Sequence, residues 1–210
     1  MPYGYTGQNQ PNQTVANSGV FSISDVYDLQ KQGKWGGSLE LIAEDNFSSG
    51  TKNINFTSIQ ESKYDVHVLV FSSVATPVES GSLKIRLYES GVVESDTVYQ
   101  WANVPVDDNN NISDSNSTAN NGFLLTSTGS SCFTGGIAKF YHLGNASEYS
   151  HCIFNMVSQR SGNDNQRHGG GVLPQASTVD GIQLVYTGSS NISDYEVKLY
   201  GLKQTWVIKD

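Results

Sequence analysis

From residue 39 onward, apolar side chains recur at every second position in short runs. Each run is closed by a cluster of Gly, Ser, Asn or Asp. A period of two places alternate side chains on opposite faces of an extended chain, so the pattern predicts strands rather than helices. Leu39 and Leu41 alternate with polar partners, and Ile54, Phe56 and Ser58 share one face of the next run. Val66, Val68 and Val70 alternate with His67 and Leu69, and Leu83, Ile85 and Leu87 with Lys84, Arg86 and Tyr88. Ile182, Leu184 and Tyr186 repeat the pattern, as do Tyr195, Val197 and Leu199. Further strands are predicted over about 97–102, 122–127, 136–143 and 150–158. Eight or more short strands with turns between them predict an all-β fold, a jelly-roll-like antiparallel β-sandwich.

The composition fits such a surface. Only 15% of the residues are charged, against about 25% in an ordinary soluble domain. Ser, Thr, Asn, Gln and 21 Gly take their place. A neutral polar surface over an apolar, aromatic-rich interior suits strands, and the common helix formers are scarce. A chain of 210 residues can bury a proper core without metals or disulfides. The formal charge of −8 leaves nothing basic to neutralise phosphates, so no nucleic acid and no anionic membrane is expected as a partner. No apolar run reaches the ~18 residues that mark a transmembrane helix. The start, MPYGYTGQNQPNQ, has neither the basic nor the apolar region of a signal peptide.

Three parts are expected: an N-terminal arm over 1–36, the sandwich over 37–203 and a tail over 204–210. Residues 1–20 are rich in Gln, Asn and Gly and cannot form a core. They are either disordered or an arm lying on something else, with Tyr3 and Tyr5 as anchors. The segment SISDVYDLQKQGKW predicts a short helix over about 24–32. Ser22 or Ser24 caps it, Asp25 and Asp28 suit its N-terminal end, Val26 and Leu29 share a face, and Gly33 stands where a left-handed C-terminal residue belongs. Two turns are marginal alone, so the helix needs a surface, with Trp35 as its pin. Two polar stretches, 106–122 and 158–171, are predicted as long loops, functional or disordered. In the second, Gly169, Gly170 and Gly171 permit either positive φ or a close backbone approach.

The search for chemistry finds no nucleophile elbow, phosphate-binding glycine loop or H-E-x-x-H motif, and no enzyme is predicted. His67 lies on a strand among apolar neighbours and is expected to be structural. His142 and His151 flank the turn LGNASEYS and can face each other across a hairpin, but zinc would need a third ligand. The acidic stretch from Asp107 fails the EF-hand register, with Ile112 where Gly is needed and Thr118 where Glu is needed. Glu89, Glu94 and Asp96 could share a rim, yet nothing selects them as a glycosidase pair. Repeated Asn-x-Ser/Thr sites, for example at Asn46 and Asn55, follow from the composition. Cys132 and Cys152 either pair across neighbouring strands or are reduced thiols near the core. Tyr99 and Trp101, with Tyr88 and Tyr141, either line a sugar groove or fill the core. No cofactor and no metal is predicted.

Three stretches carry a resemblance. YGYTGQNQPNQTVANSGVFSISDVYDLQKQGKWGGSLELIAE resembles the N-terminus of virion structural proteins from tailed phages of marine bacteria. INFTSIQESKYDVHVLVF and GGGVLPQASTVDGIQLVYTGSSNISDYEVKLYGLK are similar to later parts of the same family. The resemblance implies a sandwich displayed on the phage particle surface as a trimer, without enzymatic activity. Its partners would be other virion proteins of capsid, neck or tail, with a host-surface glycan as the alternative. It also implies an attachment arm built on Tyr3, Tyr5, Val20, Phe21, Val26, Leu29 and Trp35. The chain departs from longer fibre proteins by ending soon after the last strand, at KQTWVIKD.

Overall fold

Every strand ladder among the described residues is antiparallel. The computed structural model describes Tyr27 and residues 39–77, 81–109, 111–128, 132–160 and 163–203. The chain divides after Ser38, and the strands belong to the second unit, Leu39–Asp210. They are β1 (Leu39–Asn46), β2 (Asn53–Phe56), β3 (Tyr64–Thr76), β4 (Gly81–Glu89), β5 (Val92–Val93), β6 (Tyr99–Asp107) and β7 (Ser115–Asn120). After these come β8 (Phe123–Thr128), β9 (Cys132–Tyr141), β10 (Tyr149–Arg160), β11 (Asn163–Ala176), β12 (Val179–Tyr186) and β13 (Asp194–Lys203). The predicted helix over 24–32 falls outside the described residues except for Tyr27, and one residue does not establish it.

Two sheets result. The larger runs β1-β13-β3-β9-β10-β11-β6-β7, and the smaller runs β2-β12-β4-β5, with β8 also on β4. Four pairs are nested in the chain: β1 with β13, β2 with β12, β3 with β9 and β4 with β8. Splitting those pairs as β1-β13-β3-β9 and β2-β12-β4-β8 is the strand order of a jelly roll. The sandwich is therefore a jelly roll whose larger sheet is extended beyond β9 by β10, β11, β6 and β7.

The core lies between the sheets. Leu69, Phe71 and Val74 of β3 and Val197 and Leu199 of β13 are fully buried, as are Leu83, Ile85 and Leu87 of β4. The extension adds Cys152, Phe154 and Met156 of β10, which join Phe123 and Leu125 of β8 in the same cluster. Fully burying one such side chain contributes about 1.5–3 kcal/mol. On β3 the inward parity belongs to His67, Leu69 and Phe71, and the valines of the run occupy the other face.

Both predicted long loops prove to be largely strand. Over 106–122, β6 continues to Asp107, a turn follows, Val106 bridges to Ile112, and β7 runs along the edge. Over 158–171, β10 and β11 form one hairpin that stays in register from Arg160–Asn163 down to Ser150–Leu173. Polar composition misleads here because backbone ladders, not side chains, hold these segments. Gly169 and Gly171 settle on close approach. A Cβ on Gly171 would lie 2.4 Å from the Gln100 carbonyl oxygen and 2.8 Å from Phe123 Cδ1. One on Gly169 would lie 2.5 Å from Phe154 Cζ.

Candidate functional site

The outward side of the larger sheet is the unusual surface. Register assigns its rows. Leu39, Leu202, Val66, Tyr141, His151 and Val172 stand directly opposite one another across β1, β13, β3, β9, β10 and β11. The next row is Leu41, Tyr200, Val68, Lys139, Ile153 and Gly170. The third is Glu44, Lys198, Val70, Ile137, Asn155 and His168. Further along β9 and β10 stand Phe133 and Val157. Several of these apolar side chains are about half exposed: Leu41 and Val157 at 53%, Phe133 at 53% and Ile153 at 51%. The strands supply this face because their runs are apolar at both parities, as buried central strands are, yet here one side is open.

Charge is sparse and divided on this face. On the β1–β13 side, Lys198 Nζ lies 2.9 Å from Glu196 Oε1 and 4.0 Å from Glu44 Oε2. Two carboxylates there face one ammonium. Glu196 also accepts a hydrogen bond from Ser72 Oγ, and that bond and Lys198 hold its carboxyl below the usual range. On the β9–β10 side, Lys139 stands exposed between Val68 and Ile153, opposite no carboxylate in its row.

Beside the first row lies an open concavity of about 670 Å³, lined by residues that include Glu61, Asp65, Tyr141, His142, Asn145 and Glu148. His142 has a left-handed φ of 63°, and its Nδ1 sits 2.7 Å from Glu148 Oε2. Its ring meets that of His151 edge to face at 5.8 Å, so the two do face each other across the hairpin. No group of three or more His, Cys, Asp or Glu among the described residues is arranged to hold a metal.

The other predicted residues fall as follows. Tyr99 and Trp101 are in the core, 0% and 6% exposed, rather than in a groove. The Tyr99 hydroxyl accepts from the Leu87 amide at 2.9 Å and packs its ring edge-on against Phe123; burial raises its pKa. Tyr88 and Tyr141 are half-buried on outward faces. His67 is fully buried, with Nε2–H donating to the Ile59 carbonyl at 2.8 Å, and burial lowers its pKa. Asp107 accepts from the amides of Asn109 and Asn111 and from the Asn111 side chain, so its carboxylate closes its own turn and titrates low. Glu89 bonds Ser177, and Glu94 bonds the Asp96 amide and Gln175. Cys152 is a free, buried thiol whose pKa is raised by burial. Cys132 opposes Arg160 while Cys152 opposes Phe140, which places the two about 26 Å apart along the ladder. Tyr3, Tyr5, Val20, Phe21, Val26, Leu29 and Trp35 lie outside the described residues.

The apolar face was missed by sequence reasoning, although its signal was present. The run from Val66 to Phe71 is apolar on both parities except for His67, and two apolar parities mean two covered faces. Compared with known families, curated proteins and solved structures, the chain matches none.

Proposed function

We propose that the chain is a structural component of a bacteriophage particle, displayed on the virion surface and held there by contacts with other virion proteins. The observation that carries this reading is the outer face of the larger sheet. A sandwich whose interior is already closed by its own two sheets exposes a further apolar surface, and large exposed apolar patches mark protein–protein contact sites. The sparse charge elsewhere suits a surface repeated in many copies, and the sequence resemblance of the N-terminal motif points to the same class. The segment over 1–36 is the proposed attachment arm.

The test is localisation. Antibody raised against residues 39–203 is expected to decorate purified phage particles in immunogold images, at one repeated position. Particles lacking the chain by mass spectrometry would overturn the reading. A chain without residues 1–20 is expected to fold but not to load. Loading at wild-type occupancy would remove the arm from the proposal.

A further inference from the structure

The geometry points to Asn121–Gly122, in the turn between β7 and β8, as a self-modification site, where the chain converts its own asparagine to aspartate and isoaspartate. The substrate is the chain itself, so the inference goes beyond the proposed virion role and does not depend on it. Asn121 is the only asparagine of the sequence that glycine follows. A following residue without a side chain lets its backbone nitrogen approach the asparagine amide carbon closely. Both residues lie between the end of β7 at Asn120 and the start of β8 at Phe123, outside either ladder. Gly122 has a φ of 153°, a conformation that side-chain-bearing residues rarely adopt.

Two hydrogen bonds single out this turn. Attack of the Gly122 nitrogen on Asn121 Cγ closes a five-membered imide. Its two carbonyl oxygens are Asn121 Oδ1 and the Asn121 backbone oxygen, and in the folded chain a cation holds each of them. Lys84 Nζ donates to Oδ1 at 2.8 Å, and Arg86 Nε donates to the backbone oxygen at 2.7 Å. Negative charge builds on Oδ1 during the attack, where the ammonium already stands. The guanidinium stabilises the deprotonated form of the peptide that joins Asn121 to Gly122. Asn120 supplies a contrast within the same site. Its Oδ1 accepts from the same Lys84 Nζ at 2.9 Å, but a side chain follows it and its backbone pairs with Tyr99 in the β6–β7 ladder.

The step needs only water and hydroxide. Hydroxide takes the Gly122 N–H proton. The nitrogen bonds to Asn121 Cγ, the Cγ–Nδ2 bond breaks, and ammonia leaves with a proton from water. Water then opens the imide. Addition at Cγ gives aspartate, and addition at the backbone carbon gives isoaspartate, with the main chain rerouted through the side chain. Either product sets a carboxylate beside two cations. Burial first, and then Arg86, lower the Lys84 pKa, and a carboxylate there opposes both by favouring the ammonium.

Peptide mapping by mass spectrometry tests this on the purified full chain, incubated in mildly alkaline buffer. A gain of one dalton is expected at Asn121 at least tenfold faster than at any other asparagine, Asn120 included. Isoaspartate is expected among the products, at a rate that rises with hydroxide. Lys84→Met and Arg86→Met, each checked for unchanged far-ultraviolet circular dichroism, are expected to slow the gain about tenfold. Lys84→Arg keeps a cation at Oδ1 and is expected to retain most of the rate, which separates the charge from a change in the turn's packing. The free peptide STANNGFLL, residues 117–125, is expected to react several-fold more slowly than the folded chain. A folded chain no faster than that peptide overturns the inference. So does a gain led by another asparagine, or a wild-type rate in both methionine variants.

Discussion

The two outer faces of the sandwich differ in how they meet solvent. On the smaller sheet, the positions between Leu83, Ile85 and Leu87 are Lys84 and Arg86, and they are tied down. Lys84 Nζ donates to Asn120 Oδ1 at 2.9 Å and Asn121 Oδ1 at 2.8 Å, and Arg86 Nε donates to the Asn121 carbonyl at 2.7 Å. Gln183 Nε2 donates to Asn55 Oδ1 at 2.8 Å. The long stems of Lys84 and Arg86 lie over the strands while their heads are fixed by the β7–β8 turn. On the larger sheet, the equivalent positions are Val66, Val68, Val70, Ile137 and Ile153, and nothing in the described residues covers the exposed ones. One face is finished by its own chain. The other is left open by the described residues, and that difference marks the proposed interaction surface better than any single residue does.

The largest expected effect separates the inner and outer sides of one strand. Phe71→Ala empties a fully buried site and should cost about 3–5 kcal/mol of unfolding free energy. Val70→Ala, one residue away on the open side, should cost less than about 1 kcal/mol. Urea unfolding of both variants decides it. Equal costs would mean that Val70 is core in the isolated chain, and the contrast between the faces would collapse.

Next in size is Gly171→Ala, which should destabilise by about 1–3 kcal/mol, since the added methyl meets the Gln100 carbonyl and the Phe123 ring and cannot be accommodated without backbone movement. Gly91, at φ 75° with open space around its Cβ direction, provides the control: alanine there strains only the backbone, at about 1 kcal/mol. A neutral Gly171→Ala would show that the β11 extension is not packed on the core, and the larger face would shrink by its outer strands.

Acid should then act through His67. Its ring is buried and neutral, with pKa lowered from the ordinary value first by burial; the Ile59 carbonyl, Glu61 and Asp65 oppose that shift more weakly. A base whose folded pKa is depressed binds protons more readily unfolded. Stability is therefore intact above about pH 6.5 and falls as pH drops below it, with a slope of at most about 1.4 kcal/mol per pH unit from this group. His67→Gln retains an amide donor for Ile59 and should flatten this part of the profile between pH 7 and 5. An unchanged slope would assign the acid sensitivity to other groups.

These positions also show what a sequence carries. Strand identity was legible wherever one parity was apolar and the other polar, as with Leu83, Ile85 and Leu87 against Lys84 and Arg86. The hairpin of β10 and β11 was legible only on its β10 side, because Asn163–His168 and three glycines carry no apolar alternation. Its pairing is set by the neighbouring strands and by the space Phe154, Trp101 and Phe123 require. The aromatic pair Tyr99 and Trp101 could be assigned to core or groove only once the sheet beneath them was known. The outer face was written in the sequence as a double apolar parity, but a strand covered on both sides inside one chain has the same signature. Only the sheet order, with no third layer among the described residues, distinguishes the two.

The smallest effect sharpens the comparison most directly. Lys84→Met keeps the stem that covers the smaller sheet and removes the ammonium. Two amide oxygens, on Asn120 and Asn121, then lose a donor, at a cost of about 0.5–1.5 kcal/mol each if they stay dry. Against that, burial and the neighbouring Arg86 already push the Lys84 pKa down, so its charged form is held at some expense that methionine relieves. The asparagines lie at a partly exposed turn and can turn to water, which trims the loss further. The net change should be about 1 kcal/mol or less by urea unfolding, and the native mass by light scattering should be the same as wild type, because the open apolar face is on the opposite side of the sandwich. A Lys84→Met chain that gained a further association state would mean that a single exposed methionine is enough to make either face adhesive. The distinction between the two faces would then rest on one lysine rather than on the parity of six strands.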